Sequence, residues 1–235
     1  MSDQPIVVCS FGETREGLPA GAEEVLHIAR GLADAQGASL FWVIAGPLPE
    51  RASEIAGHFG VNTLHSIEDP KLSGGSLDAH VTALAAYGSA QSPRALLMHQ
   101  TLESRTLAPR LAAHLGAPVV MNGITVEPVG ENLEITASAY GGDTRAIYEV
   151  GPGPVLAFIP NAAIPEPGSD GPVSAEPFAV DLSSVEERIE IVERATFDGP
   201  RLDDAEIIVS GGRGLGNPDN YKLVEELAEV LGGIA

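Results

Sequence analysis

Short apolar runs alternate regularly with amphipathic stretches over the first half of the chain, and this alternation restricts the fold more than any other feature. Strand-length apolar runs occur at 6–11, 40–45, 61–67 and 95–99, and another begins at 118. Between them, apolar residues recur at helical spacing at 22–35, 50–59, 77–87 and 106–115. Strands that alternate with helices predict a parallel sheet with helices on both faces.

Glycines follow the helical stretches and predict where each helix ends. These are Gly37, Gly60, Gly88 and Gly116. Pro109 falls in the first turn of its helix if Thr106 is the N-cap, and the first turn tolerates proline.

The pattern changes after residue 119. Strand-like pieces at 124–128, 133–139, 146–150 and 155–160 are joined by short turns rich in glycine, asparagine and proline. Short strands joined in this way predict antiparallel pairing along part of the sheet. The proline-rich residues 161–183 predict an extended connector, and the acidic stretch 185–192 fits either a strand or a short helix.

Residues 205–231, AEIIVSGGRGLGNPDNYKLVEELAEVL, carry the most specific pattern. An apolar run at 207–209 predicts a buried strand, and a glycine-rich turn follows at 210–216. Asn217 is a predicted N-cap with Pro218 at the first helical position. An apolar stripe then marks the helix, formed by Tyr221, Val224, Leu227, Ala228 and Leu231.

The chemistry of this glycine-rich turn suits a ligand. Glycines let the backbone approach a ligand, and a helix start offers unpaired N–H groups. The Arg213 guanidinium adds donors suited to phosphate or to an electron-rich ring edge. A tight turn with a solvated Arg213 explains the pattern equally well, and the spacing matches neither the dinucleotide fingerprint nor the P-loop. The candidate ligand residues are Ser210, Gly211, Gly212, Arg213 and Gly214.

Four segments together resemble one known family. VSGGRG with the following NYKL resembles the motif that opens the flavin domain of electron-transfer flavoprotein alpha subunits. SRTLAPRLAAHLGAPVV (104–120), SAYGGDTRAIYEV (138–150) and the N-terminal VVCSFGETREGLPAGAEEVLHIARGLA resemble further segments of that family, in the family's order. Two positions depart from it: Glu-Ser-Arg-Thr stands at 103–106 where a Gly-Arg-Asp context is usual, and Asp143 replaces an asparagine.

The resemblance implies a fold and a domain division. It implies a mostly parallel, three-layer, Rossmann-like α/β domain with some antiparallel strands at 1–195. A linker and the first β-loop-α unit of a second α/β domain, which binds FAD, follow at 196–235. The family continues for roughly a hundred further residues, the scale of such a domain. One strand, one loop and one helix do not make a sheet domain. We therefore expect the FAD site to be incomplete in this chain, and to be shared with another polypeptide or a further segment.

The resemblance also implies a function. The chain would be the alpha subunit of a heterodimer with a beta-like subunit, taking electrons from flavin dehydrogenases and passing them to a downstream acceptor. Such a carrier is not an enzyme and needs no catalytic acid, base or nucleophile. Arg213 would stabilise negative charge on the reduced flavin or hold its phosphates, and both roles stay open. The alternative is a scaffold or binding subunit that assembles with a beta-like partner without flavin. A third possibility is an independent nucleotide-binding domain.

Charge and composition exclude several other classes. The formal net charge is −20, and Lys71 and Lys222 are the only lysines, which argues against nucleic acid and anionic membranes as partners. The single Cys9 cannot form an internal disulfide. The spacing of the histidines predicts no metal site, although His99 and Gln100 follow a strand end and would face a crevice. Without a leader or an apolar run of about 18 residues, we expect a cytoplasmic protein with no membrane insertion. The histidines are His27, His58, His65, His80, His99 and His114.

Overall fold

A computed structural model describes residues 4–11, 17–19, 21–73, 77–168, 170–186, 188 and 205–235. The chain divides into two compact units, Met1–Ile191 and Val192–Ala235, and each is described by itself. The domain boundary predicted at 195/196 lies outside the described residues. So does most of the acidic stretch at 185–192, which the sequence assigned to a strand or a short helix.

The first unit is built on a nine-stranded sheet with the order β7-β6-β5-β8-β4-β1-β2-β3-β9. The predicted α/β fold is confirmed: most neighbouring strands are parallel, while β5, β6 and β7 pair antiparallel. The strands are β1 (Ile6–Phe11), β2 (Leu40–Ala45), β3 (Thr63–Ile67), β4 (Ala95–His99), β5 (Val119–Val129), β6 (Asn132–Ala139), β7 (Thr144–Val150), β8 (Val155–Phe158) and β9 (Ala175–Pro177).

Helices cover both faces of the parallel part of the sheet. On one face, α1 (Ala22–Gln36) and α2 (Ala52–His58) pack against alternate strand residues such as Ile6 and Trp42. On the other, α3 (Leu77–Gln91) and α4 (Leu102–Leu115) pack against the intervening residues, such as Val7 and Cys9. Because both faces are buried, these strands are apolar at nearly every position.

Cys9 and Trp42 show how polar atoms are accommodated in this core. Cys9 is 2% exposed, and burial raises the pKa of its thiol to about 12. Trp42 is fully buried, and its Nε1–H donates a hydrogen bond of 2.9 Å to Ser10 Oγ. The indole therefore packs in the core without an unsatisfied donor.

The predicted end of α3 at Gly88 is wrong, because the helix continues to Gln91. A Cβ atom at residue 88 would lie 3.1 Å from Leu115 Cδ1 and 3.5 Å from Leu96 Cδ1. Gly88 therefore provides space for the neighbouring leucines within the helix. By contrast, Gly37 and Gly116 end α1 and α4 in the left-handed conformation, as predicted.

The predicted start of α4 is also wrong. The helix begins at Leu102, four residues earlier, with Thr101 as its cap. The Thr101 N–H donates to Ser104 Oγ at 2.7 Å and the Ser104 N–H donates to Thr101 Oγ1 at 3.2 Å. This reciprocal capping box satisfies two N–H groups, and it places the start of the helix closer to the N-terminus than predicted. Pro109 consequently lies inside the helix and not in its first turn.

The predicted connector at 161–183 is fixed to the first unit at several points. Its residues Ala175–Pro177 form β9, which pairs parallel with β3 at the edge of the sheet. Beyond β9, the Lys71 ammonium donates to the carbonyl oxygens of Leu182 at 2.8 Å, Ser183 at 3.2 Å and Val185 at 2.8 Å. Leu182 is itself 2% exposed. A composition of prolines and small polar residues does not reveal such tertiary contacts.

Asp78 accepts charged hydrogen bonds from two directions at the start of α3. Arg188 donates through Nη2 at 3.0 Å and Nε at 3.3 Å, and Arg110 of α4 donates as well. The Asp78 side chain is 13% exposed. The guanidinium of Arg188, followed by that of Arg110, holds the pKa of the Asp78 carboxyl well below its usual range.

We expect Asp78→Asn to remove part of the acid sensitivity of folding. A lowered folded-state pKa means that the carboxylate stabilises the fold above its unfolded pKa of about 4 and loses this effect as the pH falls through the folded-state value. The difference in free energy of unfolding between wild type and variant should therefore shrink below about pH 4. Urea titrations across pH measure this difference, with Asp34→Asn in the exposed Arg30–Asp34 pair as the control. A constant difference from pH 7 to pH 2 contradicts the expectation.

Candidate functional site

The strand predicted at 207–209 is less buried than expected. Ile207 and Ile208 are 40% and 52% exposed, so the prediction of a buried strand is wrong for the described second unit. Ile208 makes one parallel bridge with Ile234. The Val209 N–H donates to the Ile234 carbonyl at 2.8 Å, and the Ile234 N–H donates to the Ile207 carbonyl at 2.9 Å. The chain thus returns after α5 beside residues 207–209, through one bridge and two backbone hydrogen bonds that the sequence interpretation missed.

The helix after the glycine-rich turn begins as predicted. Asn217 Oδ1 accepts from the Asp219 N–H at 3.0 Å, and Pro218 opens a 3₁₀ turn at Pro218–Tyr221 that leads into α5 (Lys222–Leu231). The Asn220 side-chain amide donates to the Leu215 carbonyl at 2.7 Å. These bonds fix the turn against the start of the helix.

Two glycines of the turn are required by the chain's own structure, Gly211 by packing and Gly216 by its backbone conformation. A Cβ atom at Gly211 would lie 2.5 Å from Leu215 Cδ1 and 2.9 Å from Val224 Cγ2. Gly216 has a φ of +74°, a conformation that side chains disfavour. At Gly212 and Gly214, by contrast, a Cβ atom would meet nothing within 4 Å. Their small size therefore leaves open space beside the backbone.

The open side of the turn presents hydrogen-bond donors. Within the described residues, the N–H groups of Gly212, Arg213 and Gly214 make no hydrogen bond. The Arg213 side chain is exposed and forms no ion pair there, and Ser210 is exposed beside it. Adjacent backbone donors and a guanidinium bind anionic or electron-rich groups. The turn accordingly suits a ligand with anionic or electron-rich groups.

The second sequence candidate, His99 with Gln100, lies at the carboxyl end of β4 in the first unit. Gln100 Nε2 donates to Asn122 Oδ1 at 2.7 Å, and its Oε1 accepts from the Asn122 N–H at 2.8 Å. Gln100 is therefore satisfied by β5. The His99 ring packs on Gly21 at the start of α1, where a Cβ atom would lie 2.1 Å from the ring.

The environment of His99 is that of a packed side chain. Both ring nitrogens are buried without a hydrogen-bond partner among the described residues. Burial lowers the pKa of the His99 imidazole below its usual range, and the Glu24 carboxylate opposes this shift. Open parallel sheets bind ligands where the strand order reverses, here between β1 and β4. The imidazole fills the space beside Gly21 at this position.

The described residues offer neither a cluster for a metal ion nor a helix able to span a membrane. Across the described ranges, histidine, cysteine, aspartate and glutamate side chains form no group of three or more that is suited to a metal ion. None of the helices in the described part of the chain has the length and apolar character that a bilayer crossing requires.

Comparison with known proteins identifies the family. Residues 8–185 match the description "Electron transfer flavoprotein domain", and residues 201–235 match "Electron transfer flavoprotein FAD-binding domain". The chain belongs to the electron transfer flavoprotein family. The glycine-rich turn at 210–216 lies within the segment that matches the family's FAD-binding domain.

Individual relatives agree with this membership. The electron transfer flavoprotein subunit alpha of Thermoanaerobacterium thermosaccharolyticum is 31% identical, over 95% of this chain and 70% of its own length. Protein FixB of Clostridium saccharobutylicum is 30% identical, over 95% of this chain and 69% of its own. The subunit alpha of Bacillus subtilis is 29% identical, over 74% of this chain and 54% of its own. The matches thus favour the alpha-type branch of the family and span 54% to 70% of these relatives.

Proposed function

We propose that the chain is an alpha-type electron carrier whose turn at Ser210, Gly211, Gly212, Arg213 and Gly214 forms part of an FAD site. One observation carries the proposal: the N–H groups of Gly212, Arg213 and Gly214 and the exposed Arg213 guanidinium have no partner among the described residues, so these donors can bind a ligand. The turn also lies in the segment that matches the family's FAD-binding domain. FAD, when bound, supplies the redox chemistry, and the protein positions the cofactor and tunes its potential.

The proposed roles follow from the surroundings of each residue. Gly212 and Gly214 leave room for the cofactor to reach the backbone N–H groups. Arg213 binds negative charge, either on the phosphates or on the reduced ring. Because Gly211 has no Cβ atom, the turn can pack closely against Val224, and this packing keeps the donors in place. Electron transfer through such a site requires no acid, base or nucleophile of the chain, so we infer a carrier and not an enzyme.

Further polypeptide is needed beside this turn. Helix α5 exposes one apolar stripe, with Leu223 64%, Leu227 49% and Val230 82% exposed. The half-exposed Ile207 and Ile208 add to this apolar surface. Patches of this kind mark contact surfaces. We propose that additional polypeptide, from the same protein or from another chain, covers the stripe and completes the FAD site.

We also infer a beta-like partner subunit. The relatives are named as subunits alpha, which implies at least one other kind of subunit in those proteins. Flavin dehydrogenases would deliver electrons to the assembled pair, and a downstream acceptor would receive them. A cytoplasmic location is part of the same proposal.

A scaffold subunit without flavin is the second candidate. The first unit favours it, because side chains of its own strands and helices fill the cores on both faces of the nine-stranded sheet. Such a unit can serve assembly alone.

Visible spectroscopy distinguishes the two candidates. The chain is purified together with its beta-like partner and added FAD, then freed of unbound cofactor by gel filtration. A yellow complex with flavin absorption is the expected result. A stable complex that stays colourless at every FAD concentration contradicts the carrier and supports the scaffold.

A further inference from the structure

The outermost strand of the first unit has an uncovered edge. β7 is last in the sheet order and pairs only with β6 among the described residues. Five of its seven residues are exposed, including Ile147 at 67% and Tyr148 at 46%. Natural edge strands are usually protected by proline, by charged side chains or by a bulge. β7 has no proline and its register with β6 is continuous, so Arg145 and Glu149 are its charged residues against unwanted pairing.

One face of the β5–β6–β7 segment carries a row of like charges. Glu127 stands opposite Glu134, and Glu134 stands opposite Glu149. Carboxylates directly opposite one another on adjacent strands destabilise a sheet. The row ends at the open edge, where Glu149 has no neighbour on its outer side. A cation at the next position of the row would relieve this repulsion.

β7 itself provides that cation on the same face. Arg145 and Ile147 alternate with Glu149 along the strand, so all three side chains point to the face that holds the glutamate row. Arg145 stands opposite Ser138 and forms no ion pair with any described residue. Two residues before Ile147 the strand therefore carries a cation without an ion pair among the described residues. Two residues after it stands Glu149, whose Oε1 accepts from the neutral Asn132 side-chain amide at 2.7 Å and has no cationic partner there.

We propose that β7 pairs antiparallel with β7 of a second copy of this chain, with the two Ile147 side chains opposite each other. In this register Arg145 of each copy stands opposite the partner's Glu149, so two charge pairs form by symmetry. The glutamate row of each copy then ends at a cation. The exposed Ile147 side chain of each copy is covered by the Ile147 side chain of the other.

The neighbouring registers lack this complementarity. A shift by two residues in one direction places Ile147 opposite the partner's Glu149, and a shift in the other places it opposite the partner's Arg145. A shift by one residue places side chains on the wrong face. The centred register is thus favoured by both charge and apolar contact.

The net charge limits the strength of the pairing. Two copies at −20 each repel, but charges farther apart than about 8 Å are screened at physiological salt, whereas the contact pairs are not. A single pair of strands also buries less than the roughly 1,200 Å² of a stable interface. We therefore expect a concentration-dependent equilibrium between monomer and dimer.

Sedimentation equilibrium of the chain alone, at about 0.15 M salt, tests the pairing. Arg145→Glu and Glu149→Arg should each weaken the dimer by about tenfold or more, because both symmetric pairs become repulsive. Mixing the two variants in equal amounts should restore association, because every opposed pair then has opposite charge. Ile147→Lys should also weaken it, whereas Ile164→Lys, at an 84% exposed position outside the edge, should not.

Three outcomes overturn the proposal. The first is a chain that stays monomeric up to about 0.5 mM. The second is a dimer that is insensitive to the charge variants and not restored by mixing them. The third is association through β7 only with the beta-like partner, which would assign the edge to that subunit.

Discussion

Gly21→Ala is expected to destabilise the first unit by about 3 kcal/mol or more. Gly21 begins α1 at a φ of +62°, where a side chain costs about 1–2 kcal/mol. The new Cβ would also lie 2.1 Å from the His99 ring. The ring lies at the carboxyl end of β4, against the start of α1. Removing the clash therefore requires movement of β4 or of the start of α1. Urea denaturation followed by circular dichroism measures the change.

Gly37→Ala is the matched control at the other end of the same helix. Gly37 has a φ of +60°, and a Cβ atom there would meet nothing within 4 Å. It should therefore show the conformational cost alone, about 1–2 kcal/mol. In a His99→Ala background the ring is gone, and Gly21→Ala should cost only about as much as Gly37→Ala. Equal costs of the two glycine variants in the wild-type background would refute the packing of His99 on Gly21.

Arg213→Ala is expected to lower FAD affinity by about 10- to 100-fold. A hydrogen bond to a charged group contributes about 1.5–3 kcal/mol, and 1.4 kcal/mol corresponds to tenfold. The Arg213 side chain is exposed and makes no hydrogen bond or ion pair with the described residues of its unit. The variant should therefore unfold like wild type. Titration of the assembled protein with FAD, followed by flavin fluorescence, measures the affinity.

Two further variants separate charge and geometry at this position. Arg213→Lys keeps the charge but loses the planar set of donors, so its affinity should fall between those of wild type and Arg213→Ala. Lys222→Ala removes an exposed cation from α5 in the same unit and should leave FAD binding nearly unchanged. If Arg213→Ala binds FAD as tightly as wild type, Arg213 does not contact the cofactor.

The parallel sheet was predictable because its strands are buried on both faces. The runs that became β1, β2 and β4 are apolar at almost every position, and helical spacing between them is clear. The change to antiparallel pairing after β5 was also readable, because short turns leave no room for crossover helices. β9 was not predictable, since its three residues pair only through the tertiary position of the connector.

Helix ends were predictable only where a glycine ends the helix by adopting the left-handed backbone conformation. Gly37 and Gly116 adopt the left-handed conformation, which is a local property. Gly88 serves the packing of Leu115, a residue distant in sequence, so its role is invisible in a linear pattern. The early start of α4 depends on the reciprocal hydrogen bonds between Thr101 and Ser104, which apolar spacing alone does not reveal.

The candidate site was predictable in composition but not in detail. The glycine-rich turn, the Asn217 cap and the following helix were predicted correctly, whereas the buried strand before them was not. The sequence did not distinguish Gly211, which packs against Val224, from Gly212, which faces open space. That distinction depends on side-chain positions across the turn. Flavin contact at Ser210 to Gly214 therefore stays a prediction.

The burial of Cys9 has a practical consequence for measuring distances in this protein. It is the only cysteine of the chain, and a thiol whose pKa is about 12 has almost no reactive thiolate at neutral pH. A cysteine introduced at an exposed position, such as Ser89, would then be the one site that a maleimide label modifies. Spin labels or fluorophores can thus be attached to the wild-type background, one position at a time, without first removing a native thiol.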